Sequence, residues 1–102
     1  MKYTVKITKS AEAEILTSFR WGVRNWGVDE AKKWATDLRR SIKERLSHFP
    51  DGCPLAPDRD LDEDDVRHLI VGRYRVLFEI EENLVRVLRV RGAYFGEEAE
   101  DL

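Results

Sequence analysis

The amino-acid sequence predicts an α+β fold in the order β-α-α-β-β-β, with an antiparallel sheet packed against an N-terminal helical hairpin. The chain opens on alternating polarity, the mark of a strand with one buried face. Two apolar stripes of helical period follow, separated only around Trp26-Gly27. After a proline-bearing stretch come three short runs rich in β-branched and aromatic residues, joined by two-residue connections.

In the first element Tyr3, Val5 and Ile7 alternate with Lys2, Thr4 and Lys6. Thr8 or Ser10 then offers an N-cap, since a hydroxyl can accept from amides left free at a helix start. Ala11, Ile15, Phe19 and Val23 form an apolar row, widened by Leu16 and Trp26, so the spacing predicts an amphipathic helix ending near Asn25. Asp29 is the expected cap of a second helix, whose stripe runs through Ala31, Trp34, Ala35, Leu38, Ile42, Leu46 and Phe49 until Pro50 stops it. So short a connection lays the helices antiparallel, and the pair needs a sheet to bury its stripes. Residues 50–65, with Pro50, Pro54, Pro57 and the acid run Asp58 to Asp65, are expected to be irregular. Val66–Val71 is the next strand. In Tyr74–Glu81, residues Tyr74, Val76, Phe78 and Ile80 share one face and Arg75, Leu77 and Glu79 the other. Glu82-Asn83 turns the chain into a last strand over Leu84–Arg91.

A length of 102 residues supplies one core, so a single domain over 1–102 is expected. No apolar run approaches the roughly 20 residues that cross a bilayer. The opening residues also lack the apolar stretch of a secretory signal, so a cytoplasmic location without a membrane partner is expected. Cys53 is the only cysteine, and with His48 and His68 far apart in sequence a zinc site has little support. The acid run imitates a calcium loop, but Glu63 and Leu69 stand where that pattern needs a glycine and a carboxylate. No Gly-rich phosphate loop precedes a helix, and no serine or cysteine has the context of an activated nucleophile. Neither a cofactor nor a metal is expected.

The net charge of −2 hides an asymmetry. Acids gather in Asp58–Asp65 and Glu97–Asp101, whereas the segment from Arg67 to Arg91 also carries Arg73, Arg75, Arg86 and Arg89. A near-neutral total can contain a basic working face. Arg89 and Arg91 share a strand face, and depending on register Arg75 joins one or both on the side away from the helices. Guanidinium forks there suit phosphate recognition. The plainer reading, solvent-side arginines paired with Glu79, Glu81 and the acidic tail, stays open. Trp34 fits the core stripe, while Trp21 lies off it. An exposed tryptophan on a hairpin suits a partner surface, and one folded over the helix crossing is the alternative.

The run Val71-Gly72-Arg73-Tyr74-Arg75-Val76-Leu77-Phe78-Glu79-Ile80, followed by Val85-Arg86-Val87-Leu88-Arg89-Val90-Arg91-Gly92, resembles the signature of the RelE/ParE superfamily of toxins. The lead into the hairpin, Ile7-Thr8-Lys9-Ser10-Ala11-Glu12, and the loop from Pro50 to Leu55 are similar too. The resemblance implies the toxin of a type II, plasmid-stabilisation-like toxin–antitoxin module, neutralised by a cognate antitoxin. ParE-like members poison DNA gyrase without chemistry of their own; RelE-like members cleave messenger RNA on the ribosome as endoribonucleases. Arg75 falls where cleaving members keep a phosphate-stabilising arginine, and Arg91 and Tyr94 fall near a C-terminal cluster of a basic residue, a histidine and a tyrosine. Ala93 stands where that histidine would be, and Cys53 where some members keep a glutamate base. These departures turn the expectation toward a ParE-type toxin with Arg73, Arg75, Arg89 and Arg91 as target- or phosphate-binding residues. The nuclease, with Arg75, Arg91 and Tyr94 as its catalytic set, is the runner-up. A third reading is a non-toxic binding module, whose arginine face docks an acidic partner or whose hairpin forms a homodimer.

Overall fold

The computed structural model describes residues 2–56 and 65–92. Strand β1 (Thr4–Ile7) leads into helix α1 (Lys9–Trp26), and α2 (Val28–Leu46) returns beside it. Strands β2 (Arg67–Val71), β3 (Tyr74–Glu81) and β4 (Leu84–Gly92) complete a sheet of order β1-β4-β3-β2. Two-residue turns force β2, β3 and β4 to alternate in direction. No such constraint binds β1, which is separated from β4 by the hairpin and both other strands. It pairs parallel, Thr4 to Leu84 through Ile7 to Val87, so the sheet is mixed rather than antiparallel throughout.

Thr8 ends one element and starts the next. Its N–H and hydroxyl both donate to Val87 O, at 3.1 and 2.7 Å, while its Oγ1 accepts from Ala11 N–H. The inward line of α1 is Ala11, Ile15, Ser18 and Gly22, not the expected row through Phe19 and Val23. A row of fourth residues drifts around a helix of 3.6 residues per turn, and small side chains at 18 and 22 suit a close helix crossing. Leu16 stays 44% exposed and does not widen the stripe.

The cap of α2 is Gly27 rather than Asp29. Gly27 has φ 102°, a conformation that L side chains rarely adopt. Asp29 instead stands with Glu30 in the first turn, where negative charge meets the positive end of the helix dipole. Ala31, Ala35, Leu38, Ile42 and Leu46 are buried, but the stripe stops with the helix at Leu46 and Phe49 is 75% exposed. The stretch expected to be irregular holds a 3-10 turn at Pro50–Gly52 and a bridge from Leu55 to Arg67. Pro57 and the acid run up to Asp64 lie outside the described residues.

The core forms between the hairpin and one sheet face. Ile15, Leu38, Ile42 and Leu46 meet Leu69, Val76, Phe78, Val85, Val87 and Val90, with Tyr74 and Ile80 packed at the margin. Phe78 is wholly buried, and side chains of this size each gain about 2–3 kcal/mol from burial. Neither helix is long and apolar enough to cross a membrane.

Candidate functional site

Side-chain direction in β4 depends on one irregularity. Tyr74 pairs with Gly92, Arg75 with Arg91, Val76 with Val90 and Leu77 with Arg89, but Phe78 pairs with Val87, leaving Leu88 unopposed. This is a β-bulge. Strict alternation from Val85 and Val87 would carry Arg89 and Arg91 to the helix side. The extra residue resets the parity: Val90 enters the core, and both arginines join Arg75 on the opposite face.

Arg75 and Arg91 are therefore directly opposite each other on neighbouring strands. Taken by itself, a pair of like charges so placed disfavours a ladder. Arg89 is on the same face but is drawn to α1. Its Nε and Nη2 donate to Glu14 Oε2 at 3.0 and 2.8 Å, while Glu14 Oε1 accepts from Val90 N–H at 2.7 Å. Arg73 occupies the exposed β2–β3 turn beside Gly72, whose φ is 62°. Arg86 contacts Glu79 at 3.4 Å and Glu81 at 2.6 Å, and the Glu81 carboxylate raises its already high pKa further. Tyr94 lies outside the described residues.

His68, which the sequence offers only as a poorly supported zinc ligand, belongs to this face. It is the register partner of Leu77, and its Nδ1 is buried without a hydrogen-bond partner. The signal was its alternation with Leu69 and Val71, which face the core. Cys53 is placed elsewhere, packed against the core on the helix side. Burial raises its thiol pKa, with Arg45 and Arg67 opposing the shift. Among the described residues no three His, Cys, Asp or Glu side chains gather as a metal site.

A cleft of about 570 Å³ opens where the hairpin tip meets the β2–β3 turn, lined among others by Trp21, Trp26, Trp34, Arg73 and Tyr74. Trp26 meets Trp21 edge-on at 5.3 Å between ring centres and Trp34 at 6.3 Å, and Trp34 lies 5.2 Å from Tyr74. Trp34 packs against the core as its stripe predicts, whereas Trp26 is 45% exposed.

Residues 5–93 match the family model of the ParE toxin of type II toxin–antitoxin system, parDE. The chain belongs to the ParE toxin family. It is a type II toxin of a toxin–antitoxin module. Solved structures share its ParE fold. A chain of the chromosomal ParDE toxin–antitoxin system from P. aeruginosa superposes with a TM-score of 0.75 at 18% identity, covering 89% of this chain and 96% of that one. A chain of the toxin–antitoxin complex RelBE2 from Mycobacterium tuberculosis superposes with a TM-score of 0.63 at 20% identity, covering 90% and 99%. At these identities the likeness is one of fold. No curated protein sequence matches this ParE chain.

Proposed function

We propose that this toxin arrests growth by binding DNA gyrase through the sheet face that bears Arg75 and Arg91, and that a cognate antitoxin neutralises it. The supporting observation is the direct pairing of Arg75 with Arg91, set by the bulge in β4. Two adjacent guanidinium forks can engage carboxylate or phosphate groups of a target bidentately. Membership of the ParE family favours gyrase over RNA. Cys53, on the helix side, also leaves the position matched to a general base without such a group beside the pair. The two solved structures described above are of toxin–antitoxin assemblies, which supports an antitoxin partner.

His68 favours a second reading, the ribosome-dependent messenger-RNA nuclease. Cleavage through a 2′-hydroxyl needs a group that takes a proton and another that returns one. An imidazole on the arginine face is suited to either task, with Arg75 and Arg91 holding the charged phosphorus centre. Induced expression in a bacterial host separates the readings. DNA breaks, an SOS response and inhibition of supercoiling by purified gyrase support the first. Cleaved messages with intact supercoiling support the second, and continued growth favours the non-toxic binding module.

A further inference from the structure

Leu77 is out of place on an open surface. It shares the face of Arg75 and Arg91, away from both helices, yet none of its surface is exposed. Its register partners are His68 on β2 and Arg89 on β4. Side chains stand roughly perpendicular to a sheet, so such neighbours screen a leucine from the side and not from above. The Arg89 guanidinium is moreover drawn toward Glu14 on α1. Beside Leu77, His68 Nδ1 is buried as well. By contrast Ile70, the register partner of Arg75 on β2, is 52% exposed. The cover over Leu77 thus reaches the face from the β4 side rather than across β2.

Strand β4 ends at Gly92, one residue past Arg91. The sequence continues as Ala93-Tyr94-Phe95-Gly96-Glu97-Glu98-Ala99-Glu100-Asp101-Leu102, outside the described residues. Two aromatic side chains come first and four carboxylates follow. That order suits the face, with apolar surface for Leu77 and His68 and negative charge for the Arg75–Arg91 pair. Leu77 is two residues along β3 from Arg75, about 7 Å, and the three residues from Gly92 to Phe95 reach about 10 Å. The acid run at 57–64 is a poorer match. It joins the sheet at the β2 edge, where Ala56 N–H donates to Val66 O and where Ile70 stays open.

We propose that the C-terminal segment is the resident occupant of the arginine face, with Tyr94 and Phe95 over Leu77 and His68 and the carboxylates of Glu97 to Asp101 on Arg75 and Arg91. A target then engages the face only in competition with the chain's own acids, which the tether holds at high effective concentration. The competition rests on the reading of this face as the target-binding surface; the contact itself does not.

The test is nuclear magnetic resonance of the full chain, wild type against the fourfold variant Glu97→Gln, Glu98→Gln, Glu100→Gln and Asp101→Asn. The side-chain Nε–Hε signals of Arg75 and Arg91 are expected to move in the variant. The wild-type signals should move toward the same positions in about 1 M salt, which screens exposed charges. Arg86, held by Glu79 and Glu81, is the control whose signal stays in the variant. Tyr94→Ala combined with Phe95→Ala is expected to shift the ring signals of His68 and leave those of His48. Against purified gyrase, the fourfold variant is expected to inhibit supercoiling at about threefold to tenfold lower concentration. Unmoved Arg75 and Arg91 signals overturn the proposal whatever the target is. Moved signals with equal or weaker inhibition overturn the competition. Supercoiling left intact by both chains overturns the gyrase reading instead, and the arginine signals still decide the contact.

Discussion

Removing Glu14 tests how the arginine-bearing half of β4 is held. β1 stops pairing at Ile7 and Val87, so the amide of Val90 lies beyond the reach of that strand. Glu14 stands in for it, one oxygen on Val90 N–H and the other on the Arg89 fork. Glu14→Ala leaves a part-buried amide unsatisfied, which costs about 1–2 kcal/mol. It also breaks an ion pair whose side chains are 34% and 26% exposed; solvent screening holds that loss to about 1 kcal/mol. The expected total is about 2–3 kcal/mol, which in a domain of this size lowers Tm by roughly 10–20 °C. Glu14→Gln keeps an acceptor for Val90 and loses only the charge, so about half the destabilisation remains. Urea unfolding followed by circular dichroism measures both variants at constant m-value. A Glu14→Ala chain within about 0.5 kcal/mol of wild type refutes the clamp, as does a glutamine variant that falls as far as the alanine one.

Arg75→Ala is expected to lower growth inhibition by an order of magnitude or more while the far-ultraviolet spectrum is unchanged; an unfolded variant would make Arg75 structural. Burial raises the pKa of Cys53, so at a given pH less of it is thiolate. Alkylation at pH 8 should accordingly run slower than that of a free cysteine, with the pH midpoint of the rate displaced upward; equal rates would contradict the placement. Gly22→Ala puts a methyl group 2.9 Å from the Trp26 ring and 3.4 Å from Ala31 Cβ. Crowding there should outweigh the gain of about 1 kcal/mol in helix propensity, giving a net loss of about 1 kcal/mol and altered tryptophan fluorescence. A stabilised variant would show that the ring moves freely.

Much of the fold was legible because period and turn chemistry are local. Thr8 as cap and the two-residue connections at Gly72-Arg73 and Glu82-Asn83 follow from residues within a few positions of each other. The expected core face of β3 follows from alternation and is observed. Structure departs from local expectation where neighbours distant in sequence decide. The inward line of α1 turns to Ser18 and Gly22, a choice governed by α2 rather than by hydrophobicity. Asp29 looked like a cap because the type of residue fits, but Gly27 can adopt the positive φ that the tight helix junction requires. The parallel pairing of β1 has no local signature, and neither does the Glu14–Arg89 contact across 75 positions. The proximity of Arg75 and Arg91 depends on register, and the place of His68 beside them depends on the pairing of β2 with β3.

Leu88 has a consequence for how this chain can vary. Val90 follows Val87 by three positions rather than two or four, and that odd offset decides which surface the terminal arginines occupy. Point substitutions at Arg89 or Arg91 alter the chemistry of the surface and leave the architecture alone. Loss of one codon at Leu88 would instead rotate both guanidinium groups toward the hydrophobic interior and swing Val90 into water. This surface can therefore be retuned one side chain at a time, whereas gain or loss of a single residue within the strand inverts it.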